Sequence, residues 1–328
     1  MTARDIFSWF VFALAAYALV PFAFAGNLYL MSMIIASLTI GGIALAWALL
    51  GNLGGLVSFG HAAFFGVGSY ASALLVMKSG WPIGISLLAG GASAALAAVL
   101  MLPALRLRGP YFALAVLAYA HIFRIVATEW KDLTNGAGGI GNIPRFPVVF
   151  GYDFSSKTGA YWIVLSLVLV FALVYGWVRR SHLGLALRAM HDSEDATRAV
   201  GVNSTLAKGL MLFLSAFMTG VMGAFNAHYI NFLEPDYAFS GLWTMLPIVA
   251  AIFGGYRTIT GPVVGAVVVY LLDQLVFKAM MPIGHQIVLG ALLGAMILFA
   301  PQGLLSVFGQ RPSRRFSQPR IADASGDA

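Results

Sequence analysis

The sequence reads as all-α, a polytopic membrane helical bundle of about ten spans. Hydropathy is the first reason. Of the 328 residues, 60% are hydrophobic and 9% charged, whereas a soluble domain carries about 25% charged residues. Mean hydropathy is +0.87. Run length is the second. Uncharged apolar runs of about 20 residues recur, the length of a membrane helix and about twice that of a barrel strand. Charge placement is the third. One polar stretch, 179–208, stands between two such runs and holds Arg179, Arg180, Arg188, Arg198 and Lys208 with Asp192, Glu194 and Asp195. Charge this dense is not tolerated in hydrocarbon, so the stretch is a loop at a membrane surface.

The spans follow in order, with ends loose by a few residues. The first covers roughly 6–25 and the second roughly 28–50. The third, roughly 55–77, follows the glycine-rich turn 51–55, and the fourth, roughly 83–105, follows Trp81-Pro82. The fifth is roughly 109–128, and a loop of about 30 residues, 129–158, comes next. The sixth is roughly 159–178 and leads into the charged loop. The seventh covers roughly 207–230, the eighth 240–255, the ninth 261–279 and the tenth 284–305. Residues 1–308 thus form one transmembrane domain, and 309–328, polar and basic and then small and acidic, read as a disordered tail. The start, MTARDIFSWF, lacks a small-residue cleavage site after its apolar run and reads as a retained span.

Basic residues near span ends mark the cytoplasmic side. With 179–208 placed inside, alternation puts Arg4, Arg106, Arg108, Arg257, Arg311, Arg314 and Arg315 inside as well. Both termini then fall in the cytoplasm. The loop 129–158 falls outside, with Lys131, Arg145 and Lys157 balanced by Glu129, Asp132 and Asp153. The net charge of +7 therefore belongs to loops and tail, and there is no soluble domain to present a basic face to nucleic acid. Absence of cysteine excludes disulfides, iron–sulfur clusters and cysteine zinc sites.

Within 179–208, Leu183, Leu187 and Met190 recur at helical spacing with charges on the other faces. The loop offers nothing to bury that strip, so it is expected on the membrane surface or in a partner. Two glycine-rich segments, 51–70 and 254–265, fall at matching places in two five-span halves that run in opposite directions. Interrupted helices of inverted repeats line transport paths; tight helix packing explains such glycines equally well.

Catalytic and nucleotide motifs are missing. No G-x-x-x-x-G-K-[ST], H-E-x-x-H or G-x-S-x-G occurs. No enzyme activity and no cofactor are expected. Ionisable or polar groups in spans are the remaining candidates. His61, beside Ser58 and Asn52, either lines a path or bonds a neighbouring helix. Arg124 is expected to snorkel to the interface, with His121 a turn away. Asp273 is expected to pair with Lys278 or Arg257, or else to serve a proton path. His228, Tyr229 and Asn231 end a span, where polar and aromatic residues mark the interface.

An ordered set of short motifs over 52–305 resembles the LivM-type permease subunits of ATP-binding-cassette importers for branched-chain amino acids. It comprises GLVSFGHAAFFG at 55–66, RGPYFALA at 108–115, IFRIV at 122–126, LTNG at 133–136, GLALRAM at 184–190, AVGV at 199–202, SAF at 215–217, AHY at 227–229 and GPVVGA at 261–266. The resemblance implies a LivH-like second permease subunit, two cytoplasmic ABC ATPase subunits and a periplasmic or extracellular solute-binding protein. It implies the bacterial plasma (inner) membrane. It places ATPase coupling at Gly184, Arg188, Asp192, Glu194 and Gly201, while the glycine-rich breaks and the polar residues in spans mark the candidate translocation path at Asn52, Ser58, Gly60, His61 and Gly261. The chain departs from the family pattern at His121, Leu185, His191, Arg257 and Ala137-Gly138-Gly139. An ion-gradient-driven secondary transporter of a small polar solute is the competing reading.

Overall fold

The computed structural model describes residues 16–299 and Gly303, apart from Ala25, Arg108 and Phe150. The side chains of His191, Asp192, Leu293 and Ile297 also lie outside the description. Among the described residues, 8 helical spans are long and apolar enough to cross a membrane: Leu28–Leu53, His61–Ser79, Ile83–Arg106, Pro110–Glu129, Lys157–Arg180, Ser204–Ile230, Pro235–Gly254 and Gly261–Met280. They correspond to the second through ninth predicted spans. The predicted first span is described only from its later part, helical over 16–24, and the tail 309–328 falls outside the described residues.

The helices are α1 (Leu28–Ala48), α2 (His61–Ser79), α3 (Ile83–Ala97), α4 (Pro110–Glu129), α5 (Lys157–Arg180), α6 (His182–Asp192), α7 (Glu194–Ala199), α8 (Ser204–Ile230), α9 (Leu242–Gly254), α10 (Gly261–Leu272) and α11 (His285–Phe299). Five of them open on a side-chain cap that accepts a first-turn N–H: Asn27, Ser156, Ser181, Ser193 and Asn203. Short polar side chains favour that place because helix starts leave backbone donors unpaired. Three of the five caps fall in the charged stretch and cut it into α6, α7 and the start of α8.

α1 is buried on all sides along most of its length, as expected of an apolar helix without a polar face. It packs on α5, α9 and α10, while α8 packs on α2 and α3. Each half of the chain thus sends one helix into the other half. Glycine makes one of these contacts possible. A Cβ on Gly68 of α2 would overlap the backbone of Gly220 of α8, and one on Gly90 of α3 would stand 2.7 Å from the Gly68 carbonyl oxygen. Three helices therefore meet with backbones in direct contact.

At one end, 129–158 folds over the bundle. Strand β1 (Ile140–Gly141) pairs antiparallel with β4 (Phe232–Leu233), Ile140 opposite Leu233, and β2 (Val148–Val149) pairs with β3 (Tyr152–Asp153). The pairing ties this loop to the segment after α8. At the other end lie α6 and α7.

Two expectations are corrected here. The third span does not begin near residue 55. Residues 55–60 are non-helical, and α2 starts at His61. The reason is local: Gly55 has φ +65°, and the Ser58 hydroxyl accepts the Gly60 N–H at 3.2 Å. The apolar strip of α6 is not left for a membrane or partner either. Leu187 and Met190 are buried, and Leu183 packs on the same core. α6 rests on α5, α8 and the π-helical turn Leu49–Leu53, supplying the partner that the loop itself lacked.

Candidate functional site

The two candidate regions are the helix break after α1 and the α6–α7 pair. The break lies between the π-helical turn Leu49–Leu53 and His61. Asn52, on that turn, donates from Nδ2 to the Tyr175 hydroxyl of α5 at 2.8 Å. Trp47 Nε1–H donates to the Ser58 carbonyl at 3.0 Å. From α9, Thr244 Oγ1 accepts the Ala62 N–H at 3.0 Å and donates to the Phe59 carbonyl at 3.3 Å. The break is therefore pinned from three helices, α1, α5 and α9.

His61 is fully buried. Its Nε2 stands 3.0 Å from Ser215 Oγ of α8, and that hydroxyl donates to the Ala46 carbonyl at 2.8 Å. A hydroxyl has one proton, so His61 Nε2 carries the proton between them. The remaining ring nitrogen, Nδ1, makes no well-formed hydrogen bond among the described residues, with the Ser58 backbone a polar neighbour of the ring. Gly60 is held by packing: an added Cβ would lie 3.0 Å from the Val116 carbonyl oxygen. Ser58, Gly60 and His61 thus form one node, with Asn52 a few residues before it. Gly261 sits at the second break, between α9 and α10, where its Cβ would overlap the Gly255 carbonyl oxygen.

At α6–α7, the coupling candidates have partners within the chain. Arg188 donates from Nη2 to the Arg179 carbonyl at 2.6 Å and from Nε to the Gly184 carbonyl at 3.2 Å. A cation there matches the negative end of the α5 dipole. A Cβ on Gly184 would overlap the Val178 carbonyl oxygen, so glycine allows the close turn. Glu194 bridges Arg198 at 2.9 Å and Lys208 at 2.8 Å. The Lys208 hydrogen bond leads in holding its carboxyl below the usual carboxylate range, against partial desolvation. Gly201 has φ +90°, a left-handed turn that suits glycine. The Asp192 side chain lies outside the described residues. On the face away from the bundle, α6 and α7 enclose a groove of about 520 Å³ lined by Leu185, Ala186, Ala189, Ala196, Val200 and Val202. Leu185 is 64% and Val200 80% exposed, unusual for aliphatic side chains in a charged segment.

Other sequence candidates settle differently. Arg124 pairs with Asp236 at 2.8 Å. Asp273 makes no ion pair among the described residues; its Oδ2 accepts from Gln274 Nε2 at 3.1 Å and its Oδ1 has no partner. His228 is buried between Ser72 (3.0 Å) and the Pro144 carbonyl (2.7 Å). Trp47, Tyr175 and Thr244, which help complete the break, carried no sequence signal beyond being polar-tipped residues in apolar runs, and Ser215 entered only as part of the SAF motif at 215–217.

A conserved-family description covers most of the chain. Residues 29–301 match the model of the branched-chain amino acid transport system / permease component family, and the chain belongs to that family. It is 29% identical over 303 residues to the high-affinity branched-chain amino acid transport system permease protein LivM of Salmonella typhimurium, covering 84% of this chain and 68% of that protein. The LivM protein of Escherichia coli K12 is 29% identical over 280 residues, 77% of this chain and 64% of the relative. The LivH permease protein of Escherichia coli K12 is 21% identical over 303 residues, 85% of this chain and 96% of the relative. The chain thus spans about two thirds of its LivM relatives' length. No solved structure matches it. With eight apolar spans among the described residues, this is a multi-pass membrane permease component, and family membership favours the importer reading over an ion-driven carrier.

Proposed function

We propose that the chain is one permease subunit of an ATP-binding-cassette importer for branched-chain or related amino acids. The observation that carries this is the family match over 29–301. A LivH-like permease subunit completes the path, two cytoplasmic ATPase subunits drive it, and a solute-binding protein delivers the substrate. The membrane is the bacterial plasma membrane, with the α6–α7 end and both termini in the cytoplasm.

In this reading, the exposed α6–α7 groove seats an apolar side chain of the ATPase. The charged candidates Arg188 and Glu194 shape the pair from within, and Gly184 and Gly201 set its turns. Displacement of α6 passes through its buried strip to the π-helical turn Leu49–Leu53, on which α6 rests. A π turn shifts register more readily than an α-helix and often sits at functional sites. That turn carries Asn52 and leads into the break at Ser58, Gly60 and His61, which borders the path together with Gly261.

The test is co-purification of the ATPase with this chain after Leu185→Glu and Val200→Glu are introduced together. Loss of the ATPase with unchanged thermal stability of the permease is expected. Full retention would refute the groove as the docking site.

A further inference from the structure

At the end opposite α6–α7, a cavity of about 400 Å³ opens between the 143–157 loop, the start of α5 and the end of α8. Arg145 and Lys157 line it, with Phe146, Ala160, Tyr229 and Asn231. No Asp or Glu does. Each cation is held by one bond. Arg145 Nε–H donates to Asn231 Oδ1 at 2.8 Å. Lys157 Nζ donates to the Tyr229 hydroxyl at 2.9 Å and stands 4.5 Å above that ring's centroid. Neither forms an ion pair among the described residues, and Arg145 acts on Asp153 only at longer range.

The backbone adds to this charge. Lys157 is the first residue of α5, a helix of 24 residues whose N-terminus faces the cavity through Ala160. Helix starts favour anions. Asp153, an acid of the same loop, accepts the Ser155 N–H at 2.8 Å and is not part of the lining. The neighbouring cavity, of about 250 Å³, has the opposite character: Arg124 is matched there by Asp236, and Glu129 and Glu234 also line it. Surplus positive charge is therefore specific to the first cavity.

We propose that this cavity binds a small aliphatic carboxylate, with the carboxylate between Arg145 and Lys157 and the hydrocarbon against Phe146 and Ala160. Two fixed cations with unused donors recognise a carboxylate by charge-assisted hydrogen bonds. On the permease reading, on which the identity of the ligand rests, it is the reception site for the carboxylate end of the amino acid on the outer face.

Binding is measured by saturation-transfer NMR on the complete transporter complex in nanodiscs. The probes are 4-methylpentanoate, its neutral amide and inorganic phosphate. The acid is expected to bind saturably and the amide about tenfold more weakly or not at all. Arg145→Gln with Lys157→Gln should weaken the acid about tenfold. Ser155→Glu, which leaves both cations and their bonds in place, should weaken it likewise by supplying a competing carboxylate. Equal binding of acid and amide, tighter binding of phosphate, or unchanged affinity in Ser155→Glu would overturn the proposal. ATP-driven leucine uptake by the same wild-type complex is scored separately. Uptake without carboxylate binding overturns only the site, and absence of uptake overturns the permease reading.

Discussion

His61 has one ring nitrogen bonded to Ser215 and the other without a well-formed hydrogen bond, in a fully buried place. Removing the ring leaves a cavity and takes the donor from Ser215. His61→Ala should therefore lower stability by about 2–4 kcal/mol, read as a drop in thermal midpoint of the detergent-purified chain. Glu194 illustrates a milder interaction. Its carboxyl is depressed chiefly by Lys208, so its contribution is complete at neutral pH. It is lost only as pH falls below the ordinary glutamate value of about 4.3. All three groups keep some exposure, so Glu194→Gln should cost under about 1 kcal/mol. The expected result is modestly faster proteolysis between α6 and α8 at pH 7, and a difference from the parent that shrinks as the carboxyl becomes protonated in acid. At this scale the sequence named His61, Ser58 and Asn52 but did not pair them with Ser215, Trp47 or Tyr175. A hydroxyl in an apolar run carries no local sign of which helix it will face.

Helices and breaks were legible where composition alone decides them. Span positions followed from hydropathy, whereas the division of the charged stretch at the polar caps Ser181, Ser193 and Asn203 emerged only in the structure. The start of α2 was misplaced by several residues because hydropathy does not register a turn made of apolar residues and glycine. Burial of the α6 strip was missed because its partner, the turn Leu49–Leu53, is distant in sequence. Glycine roles separate in the same way. At Gly220 a Cβ would overlap that of Ala94, whereas at Gly84 it would meet nothing. Gly220→Ala should cost about 1–3 kcal/mol by overpacking. Gly84→Ala should be neutral or stabilising by up to about 1 kcal/mol. Comparing their thermal midpoints tests whether α2, α3 and α8 meet backbone to backbone.

For the whole molecule, the exchange of α1 and α8 between halves joins the two ends of the bundle mechanically. The α6–α7 pair sits under the turn that precedes one break, and the loop over the other end is stitched to the C-terminal end of α8 by β1 and β4. The class of molecule was legible from run length, charge placement and the ordered motifs. Substrate contacts were not: on the proposed reading the path is shared with a second subunit, which leaves no complete set of ligands in one chain. The central claim is that this chain forms a gated path without its own energy source. The direct measurement is leucine accumulation in proteoliposomes holding this chain, a LivH-like partner, the ATPase and the binding protein. Accumulation that requires ATP and is lost when the ATPase is omitted is the expected result. Accumulation by this chain alone, driven by an imposed ion gradient, would contradict it.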